Sequence, residues 1–478
     1  MRVVTTAALS LWILAAPSSG PAQGQTPKRS PSLPVAAAVK TNIPYVDAKP
    51  ILEALGENLP AELRGKTPAD IESAWPNWVS QHNAAIRERL ERGDEDSIVY
   101  FWHYGTSFTK LPPVTERNIA RLGADASAVE SMLQRRMEDL VAGIASPGTN
   151  ERLQFARQVV EREAIDPTTP AGKAQVRLRL SELRKRVLDE LEKNNRTVQS
   201  AKELSDPSAA LATYLMLFRD RGLSSDTSLL PAFALEQALA ALKSQGMLGA
   251  GSVRRVAIVG PGLDLANKDE GYDFYPQQTI QPFATMDSLI RLGLAKPNEL
   301  LVTTFDLSPR VNQHIQAARE RAREGGGYVL HLPLDGEERW TPDLMAYWQR
   351  LGDRIGKDMA PLAPPSGAGK IQVRAVRIPP APVMSIVPRD LNIVLERLEP
   401  LASDESFDLV IATNVLVYYE VFEQSIALVN VASMLRPGGV FLSNTPVPPT
   451  APMKLSPRYN TVAYSDRQRD FVFWYQRQ

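Results

Sequence analysis

The sequence predicts an α/β protein, with a doubly wound, mostly parallel sheet in its second half and an all-helical region before it. Three observations carry this. The apolar run Val256-Ala257-Ile258-Val259 stops at Gly260-Pro261-Gly262, the pattern of a buried strand ending in a tight, glycine-permitted turn. Beyond it, short apolar runs alternate with helical periods, as a parallel sheet with crossover helices requires. Ahead of it, the apolar spacing between residues 41 and 250 is helical. The length of 478 residues suits two or more domains. The expected division is an export signal at 1–24, a disordered leader at 25–40, a helical domain at 41–250 and an α/β domain at 251–478.

The opening residues have the form of a signal peptide: Arg2, a largely apolar Val3 to Ala16, then small residues with Ala22 and Gly24 placed for cleavage before Gln25. The apolar run is short for a membrane span. The mature chain is therefore expected outside the cytoplasm, with no membrane span after signal removal. Charge is balanced, 54 basic against 54 acidic residues, which argues for no nucleic-acid partner and no anionic surface. There is no cysteine, which excludes disulfides and thiol nucleophiles. The four histidines, His82, His103, His314 and His331, lack the spacing of a metal site and read as surface or packed imidazoles.

In the first half, Thr67-Pro68-Ala69-Asp70 is a helix start, opening a helix past Trp75 and Trp78 to Leu90. The aromatic run from Asp96 to Phe108 reads as a buried helix or strand. Ala171 to Asn194 is the clearest helix, with Val176, Leu180, Leu183, Val187 and Leu191 on one stripe. Its arginines read as a solvated face paired with Glu182, Asp189 and Glu190. A helix opens at Asp206-Pro207 and runs through Leu211 and Phe218 to Gly222, and another spans Leu229 to Gln245. Nothing in this half has a catalytic signature.

In the second half, strand Val256–Val259 and its turn lead to the polar, aromatic loop Asn267 to Gln278, then to a helix from Phe283 to Leu292. A second strand, Leu300 to Phe305, ends in Asp306. The helix Arg310 to Glu324 follows, stopped by three glycines. Strand Tyr328–Leu332 and helix Thr341–Ile355 look inserted, and 360–369 is a Pro/Gly-rich linker. Val373–Ile378 reads as a strand with a turn at Arg389 to Asn392, Phe407–Ala412 as a strand, Val421–Met434 as a helix and Val440–Ser443 as a strand. Asp470–Tyr475 is expected as a last antiparallel strand at the sheet edge.

In this order the pieces resemble a class I S-adenosylmethionine-dependent methyltransferase, with its Rossmann-like sheet. The segment Phe407-Asp-Leu-Val-Ile-Ala-Thr-Asn-Val-Leu-Val-Tyr-Tyr419, continued by Met434-Leu-Arg-Pro-Gly-Gly-Val-Phe-Leu442, resembles the chemotaxis-receptor (CheR-type) methyltransferases. The resemblance covers about Val253 to Asn444. It implies that Gly260 and Gly262 pass beside the methionyl part of S-adenosylmethionine, with Asp264 in the same turn. It implies that Asp306 accepts hydrogen bonds from the ribose hydroxyls, that Asp390 or Asn392 reads the adenine, and that Asn414 and Val415 lie along the cofactor. Tyr418 and Tyr419 would wall the acceptor site. The loop carrying Tyr272 and Tyr275, two further candidates for the acceptor site, would fold over the cofactor as a lid, a surface insertion being the alternative. Methyl transfer from a sulfonium needs mainly in-line positioning, and no nucleophile–base pair stands out.

The sequence departs from the resemblance in two ways. Leu263 stands where the third glycine of the usual turn would fall, and the interval from Gly262 to Asp306 is about twice the roughly twenty residues expected. Export and a cytoplasmic cofactor also pull against each other. The resulting expectation is a methyltransferase acting on a small-molecule or protein acceptor. An exported binding or scaffold protein with a degenerate site is the alternative, and a nicotinamide-binding oxidoreductase is a third reading. The Asn414 turn and Pro437-Gly438-Gly439 speak against the last.

Overall fold

The computed structural model describes residues 38–478 except 57–58, 124, 204–220, 266–271, 336–338, 366–370, 449, 451 and 467. The signal segment, the leader up to residue 37, the helix expected through Leu211 and Phe218, and the loop portion 267–271 lie outside the described residues. Ala38–Gln478 forms one compact unit.

The chain opens with strand β1 (Val39–Asn42), helix α1 (Tyr45–Leu55) and helix α2 (Pro68–Tyr104). Thr67 caps α2 by accepting the Asp70 N–H at 3.2 Å, and Pro68 takes the first turn, where its missing N–H is no loss. The helix does not stop near Leu90. It runs on through the aromatic segment, because Ile98, Phe101 and Trp102 continue a buried stripe. Helices α3 (Glu116–Arg121), α4 (Ala126–Ala145), α5 (Glu151–Arg162), α6 (Pro170–Glu203) and α7 (Leu230–Ser244) follow. The α6 arginines pair chiefly with neighbouring helices: Arg177 with Glu138 at 2.7 Å and Arg186 with Asp96 at 2.7 Å.

The second half contains β2 (Arg255–Val259), α8 (Gln281–Arg291), β3 (Leu301–Asp306), α9 (Pro309–Arg323), β4 (Tyr328–Asp335), α10 (Pro342–Arg350) and β5 (Lys357–Met359). It continues with β6 (Ile371–Ile378), α11 (Pro380–Met384), β7 (Ile386–Asp390), β8 (Glu396–Glu399), β9 (Phe407–Ala412), α12 (Val421–Met434), β10 (Leu435–Ser443), β11 (Met453–Ala463) and β12 (Arg469–Arg477). Seven strands form the main sheet in the order β11-β12-β10-β9-β2-β3-β7. From β10 to β7 neighbours are parallel, while β12 runs antiparallel to both β10 and β11. The chain leaves β2 toward β3 and β7, then returns to the other side of β2 for β9 and β10. The switch in direction therefore falls between β2 and β9, where the turns after the two strands separate and leave a crevice.

The two-residue period of the strands assigns the layers. Val256, Ile258, Leu409 and Ile411 pack on one face with Leu235 of α7 and Phe283 of α8. Ala257, Val259, Val410 and Ala412 pack on the other with Trp75 and Trp78 of α2 and Phe422 of α12. Each Val or Ile buried this way contributes about 1.5–3 kcal/mol.

Several expectations are corrected. The region expected to be all-helical begins with a strand, because β1 satisfies its backbone by pairing antiparallel with β8, and the first part of α2 shares the sheet's own core. Val373–Ile378 is not a strand of the parallel sheet. As part of β6 it pairs antiparallel with β4 and β5 in a separate inserted sheet, using both edges of its backbone. The third parallel strand is instead β7, so Arg389 and Asp390 are strand residues rather than a turn. The segment Asp470–Tyr475 does not lie at the edge. It sits between β10 and β11, which suits its buried Trp474 and Tyr475.

Candidate functional site

A cavity of ≈ 450 Å³ opens at the crevice between the carboxyl ends of β2 and β9. Of the sequence-predicted residues, Gly260, Gly262, Asp264, Asp306, Asn392, Asn414, Val415, Tyr418, Tyr419 and Tyr275 line it. Asp390 and Tyr272 do not. Asp390 pairs with Asp306 in the strand register, but its carboxylate faces Arg87 at 2.9 Å and Lys40 at 3.4 Å. Tyr272 is buried and uses its carbonyl to accept the Tyr275 hydroxyl at 3.1 Å.

Asp306 ends β3 inside the cavity, with only 7% of its surface exposed. Its carboxylate accepts the Ser308 N–H at 2.8 Å and a hydrogen bond from the Gly262 backbone. Burial outweighs these bonds and raises its pKa from 3.8 to about 6. Gly260 and Gly262 both have positive φ, +65° and +63°. A Cβ on Gly260 would come 2.7 Å from Val415 Cγ2, so the turn can pass the Asn414 segment only as glycine. A Cβ on Gly262 would meet the Ser225 carbonyl at 2.9 Å.

Asn414 adopts φ +59°, a conformation that asparagine tolerates better than most residues, immediately after β9. It is tied to the end of β10 by a reciprocal pair: its N–H donates to Asn444 Oδ1 at 2.8 Å, and Asn444 Nδ2 donates to Asn414 Oδ1 at 2.6 Å. Tyr419 is buried under the Arg89 guanidinium, 5.6 Å from its ring centre, and Arg89 also donates to the Tyr418 carbonyl at 2.8 Å. Asn392 lines the cavity with its carboxamide committed to the protein, donating to Asn83 at 2.9 Å and accepting the Val394 N–H at 3.2 Å.

The loop before α8 brings a second polar cluster. The Tyr275 hydroxyl donates to Asp264 Oδ2 at 2.6 Å and Gln278 Nε2 donates to the same oxygen at 3.1 Å. Burial raises the Asp264 pKa, with Arg152 opposing. Arg152 is anchored on the carbonyls of Tyr275 at 2.5 Å, Asp264 at 3.1 Å and Leu265. His331, on β4 of the inserted sheet, stacks on Tyr275 with ring centres 5.4 Å apart and lines the cavity. Burial, then the Arg152 charge, lowers its pKa and so favours the neutral imidazole.

Two parts of the site were missed by sequence reasoning. One is His331, which carries no local motif. The other is the segment Ser224-Ser225-Asp226-Thr227-Ser228, which closes the cavity from the helical half. Its signal was a run of small polar residues between the helix end expected at Gly222 and the helix expected from Leu229. Leu263 and Thr227 hold it on the glycine turn, with Leu263 N–H donating to Ser225 at 2.8 Å and Thr227 N–H to Leu263 at 3.1 Å. Gly93 in mid-α2 lets it approach, since a Cβ there would lie 1.9 Å from the Leu223 carbonyl oxygen. Arg310 braces it too, donating to Ser225 Oγ at 2.9 Å while its guanidinium lies 4.0 Å over Phe155. Among the described residues no lysine or arginine lines the cavity, whereas Asp226, Asp264 and Asp306 do. Among the described residues no group of histidines and carboxylates is placed to hold a metal ion, and no helix is long and apolar enough to cross a membrane.

No protein-family model and no curated protein matches this chain. Among solved structures it is similar to a magnesium protoporphyrin IX methyltransferase from Synechocystis PCC 6803 with bound SAM. The identity is 11% and the TM-score 0.25, over 59% of this chain and 97% of that one. It is also similar to the mitomycin 7-O-methyltransferase MmcR, at 11% identity and TM-score 0.26 over 86% and 100%. A third is the CurJ carbon methyltransferase, at 13% and 0.23 over 85% and 98%. All three are methyltransferases.

Proposed function

We propose that this protein binds S-adenosylmethionine in the cavity at the β2–β9 switch point and transfers its methyl group to an acceptor. The observation that carries this is the lining of the cavity: three aspartates face it, while the cations beside them, Arg310 at 3.9 Å from Asp226 and Arg152 near Asp264, are not part of the lining. A sulfonium cofactor with an ammonium group suits such a lining, because opposite charge in a poorly solvated site is attractive. A dinucleotide, whose pyrophosphate needs cationic or helix-terminal partners, does not suit it. The size of the cavity falls within the usual range of small-molecule sites.

Asp306 would take the ribose hydroxyls on the carboxylate face left by Ser308 and Gly262. The turn at Gly260 and Gly262 and the Asn414–Val415 segment would hold the cofactor from the two strand ends, and Asp226 and Asp264 would face its positive charge. The cofactor supplies an electrophilic methyl group. The chain supplies orientation and exclusion of water, by the roof Ser224–Ser228 and the Tyr275 loop. The resemblance of the Asn414 segment to the chemotaxis-receptor methyltransferases supports the same reading and leaves the acceptor open.

Calorimetric titration with S-adenosylmethionine, its demethylated product and NAD tests this. Micromolar binding of the first two with no response to NAD is expected. Binding of NAD alone would overturn the reading.

A further inference from the structure

The lining that contains Asp306 also contains leucines from both halves of the chain. Leu307 follows the carboxylate directly, Leu90 comes from α2, and Leu223 stands just ahead of the roof. All three belong to, or pack against, one apolar cluster that also holds Leu391 and Ile393 of the turn after β7. Leu90 and Leu307 are half-buried, so they offer apolar surface to the cavity. A specific seam brings the helical half this close. The Leu223 N–H donates to the Arg89 carbonyl at 2.9 Å, and Gly93 leaves the room that a Cβ would close. Asp306 pairs in register with Asp390 of β7, so the turn after β7 lies one strand from the carboxylate.

The polar side chains of that turn are already engaged within the protein. The Asp390 carboxylate is turned to Arg87 at 2.9 Å and Lys40 at 3.4 Å, and Asp390 does not line the cavity. Asn392 is 1% exposed and closes a ring with α2. Its Nδ2 donates to Asn83 Oδ1 at 2.9 Å, Asn83 Nδ2 donates to Glu396 Oε1 at 2.8 Å, and Glu396 Oε2 accepts the Asn392 N–H at 2.7 Å. Asn392 Oδ1 accepts the Val394 N–H at 3.2 Å. Asn430 Nδ2 holds the carbonyls of Ile393 and Val394 at 3.1 and 2.9 Å. Groups paired and buried in this way would have to break good hydrogen bonds before they could bind a ligand.

We infer that Leu90, Leu223 and Leu307 hold the purine of the donor by its faces, and that the side chains of the β7 turn leave the purine's hydrogen-bonding edge unread. The inference rests on the methyl-donor reading of the same cavity. Two consequences follow from it. The helical half is part of the donor site, because Leu90 and Leu223 touch the base. The site is also tolerant at the base edge. Exchanging the 6-amino group of adenine for the 6-oxo group of hypoxanthine turns a donor into an acceptor and reverses the role of the neighbouring ring nitrogen. A site built to hydrogen-bond adenine rejects that exchange strongly, because its own polar groups are left unpaired. A site that grips the faces through leucines loses little, since the apolar area buried is the same for both bases.

Calorimetry on the full chain tests this with three probes: S-adenosylhomocysteine, S-inosylhomocysteine with the 6-oxo base, and S-ribosylhomocysteine with no base. The first two should bind within about threefold of each other, and the third at least roughly 30-fold more weakly, for loss of the buried base. Leu90→Ala should weaken both nucleosides by the same factor, about three- to tenfold, and Leu90→Met, which keeps the volume, should restore both. Asp390→Asn should leave the ratio of the two nucleosides unchanged. A preference of more than about tenfold for either nucleoside overturns the inference, because an edge reader is then present. Binding of the base-free probe as tightly as S-adenosylhomocysteine overturns it too, as does a Leu90→Ala chain that binds both nucleosides like wild type. Failure of both nucleosides to bind the wild type at millimolar concentration overturns the methyl-donor reading instead, so the two failures are told apart.

Discussion

Replacing Asp306 by Asn should make the unliganded protein more stable and its complex with S-adenosylmethionine weaker. The first effect follows from the carboxyl's environment. Its pKa rises from 3.8 to about 6 because burial penalises the charge more than the Ser308 and Gly262 hydrogen bonds favour it. At 1.36 kcal/mol per pH unit, that difference is on the order of 3 kcal/mol. The sign follows from proton binding. The folded carboxyl holds its proton more tightly than the unfolded one, so its favourable contribution is complete below 3.8 and is lost as pH rises through about 6. At about pH 8 the ionised group is therefore a burden that a neutral amide does not impose. Asn retains an oxygen for the Ser308 N–H. Denaturant melts should show a gain of about 1–3 kcal/mol at about pH 8, shrinking to under about 1 kcal/mol near pH 4. Calorimetry should show the cofactor binding roughly 10–150-fold more weakly, the value of hydrogen bonds to a charged acceptor. A variant that is less stable at about pH 8, or that binds the cofactor as tightly as wild type, would refute the reasoning.

Other expectations concern the same site and its supports. Gly260→Ala should cost roughly 1–3 kcal/mol in a denaturant melt, because its Cβ would press on Val415 Cγ2 at 2.7 Å from a backbone at φ +65°. Val415→Ala in the same chain should return part of that loss, and a strictly additive pair would show that Val415 is not the obstacle. His314, which shares a 2.8 Å hydrogen bond with the Tyr328 hydroxyl, has its pKa lowered by burial from 6.5 to about 4. Its contribution is thus complete above about 6.5 and is lost as pH falls toward 4. His314→Asn should flatten that part of the stability–pH curve, and an unchanged slope would contradict the assignment.

The legible parts of the sequence were those in which local chemistry and global position agree. The run Val256–Val259 with its glycine turn, Asp306 at the end of the second strand and the Asn414 turn each carry their own conformational reason, and the structure brings all three to one cavity. Val421–Met434 has the boundaries its pattern predicts. Long-range pairing was not legible. Nothing in Val373–Ile378 says that its partners are β4 and β5 rather than β3, since an apolar run suits either sheet. Asp390 sits one strand from Asp306 but is turned to Arg87 and Lys40, a choice made by residues some 300 positions away. The roof Ser224–Ser228 depends on Gly93 leaving room in α2, a contact no local pattern announces. His331 reached the cavity only because an inserted sheet carried it there.

The central claim is that the cavity between β2 and β9 holds S-adenosylmethionine by its ribose on Asp306. Crystals grown with the demethylated product test it most directly. The account predicts the product in this cavity, with both ribose hydroxyls within hydrogen-bond distance of the Asp306 carboxylate and the backbone of Gly260 and Gly262 alongside its amino-acid portion. Product bound elsewhere, or a cavity left without it at saturating concentration, would contradict the account.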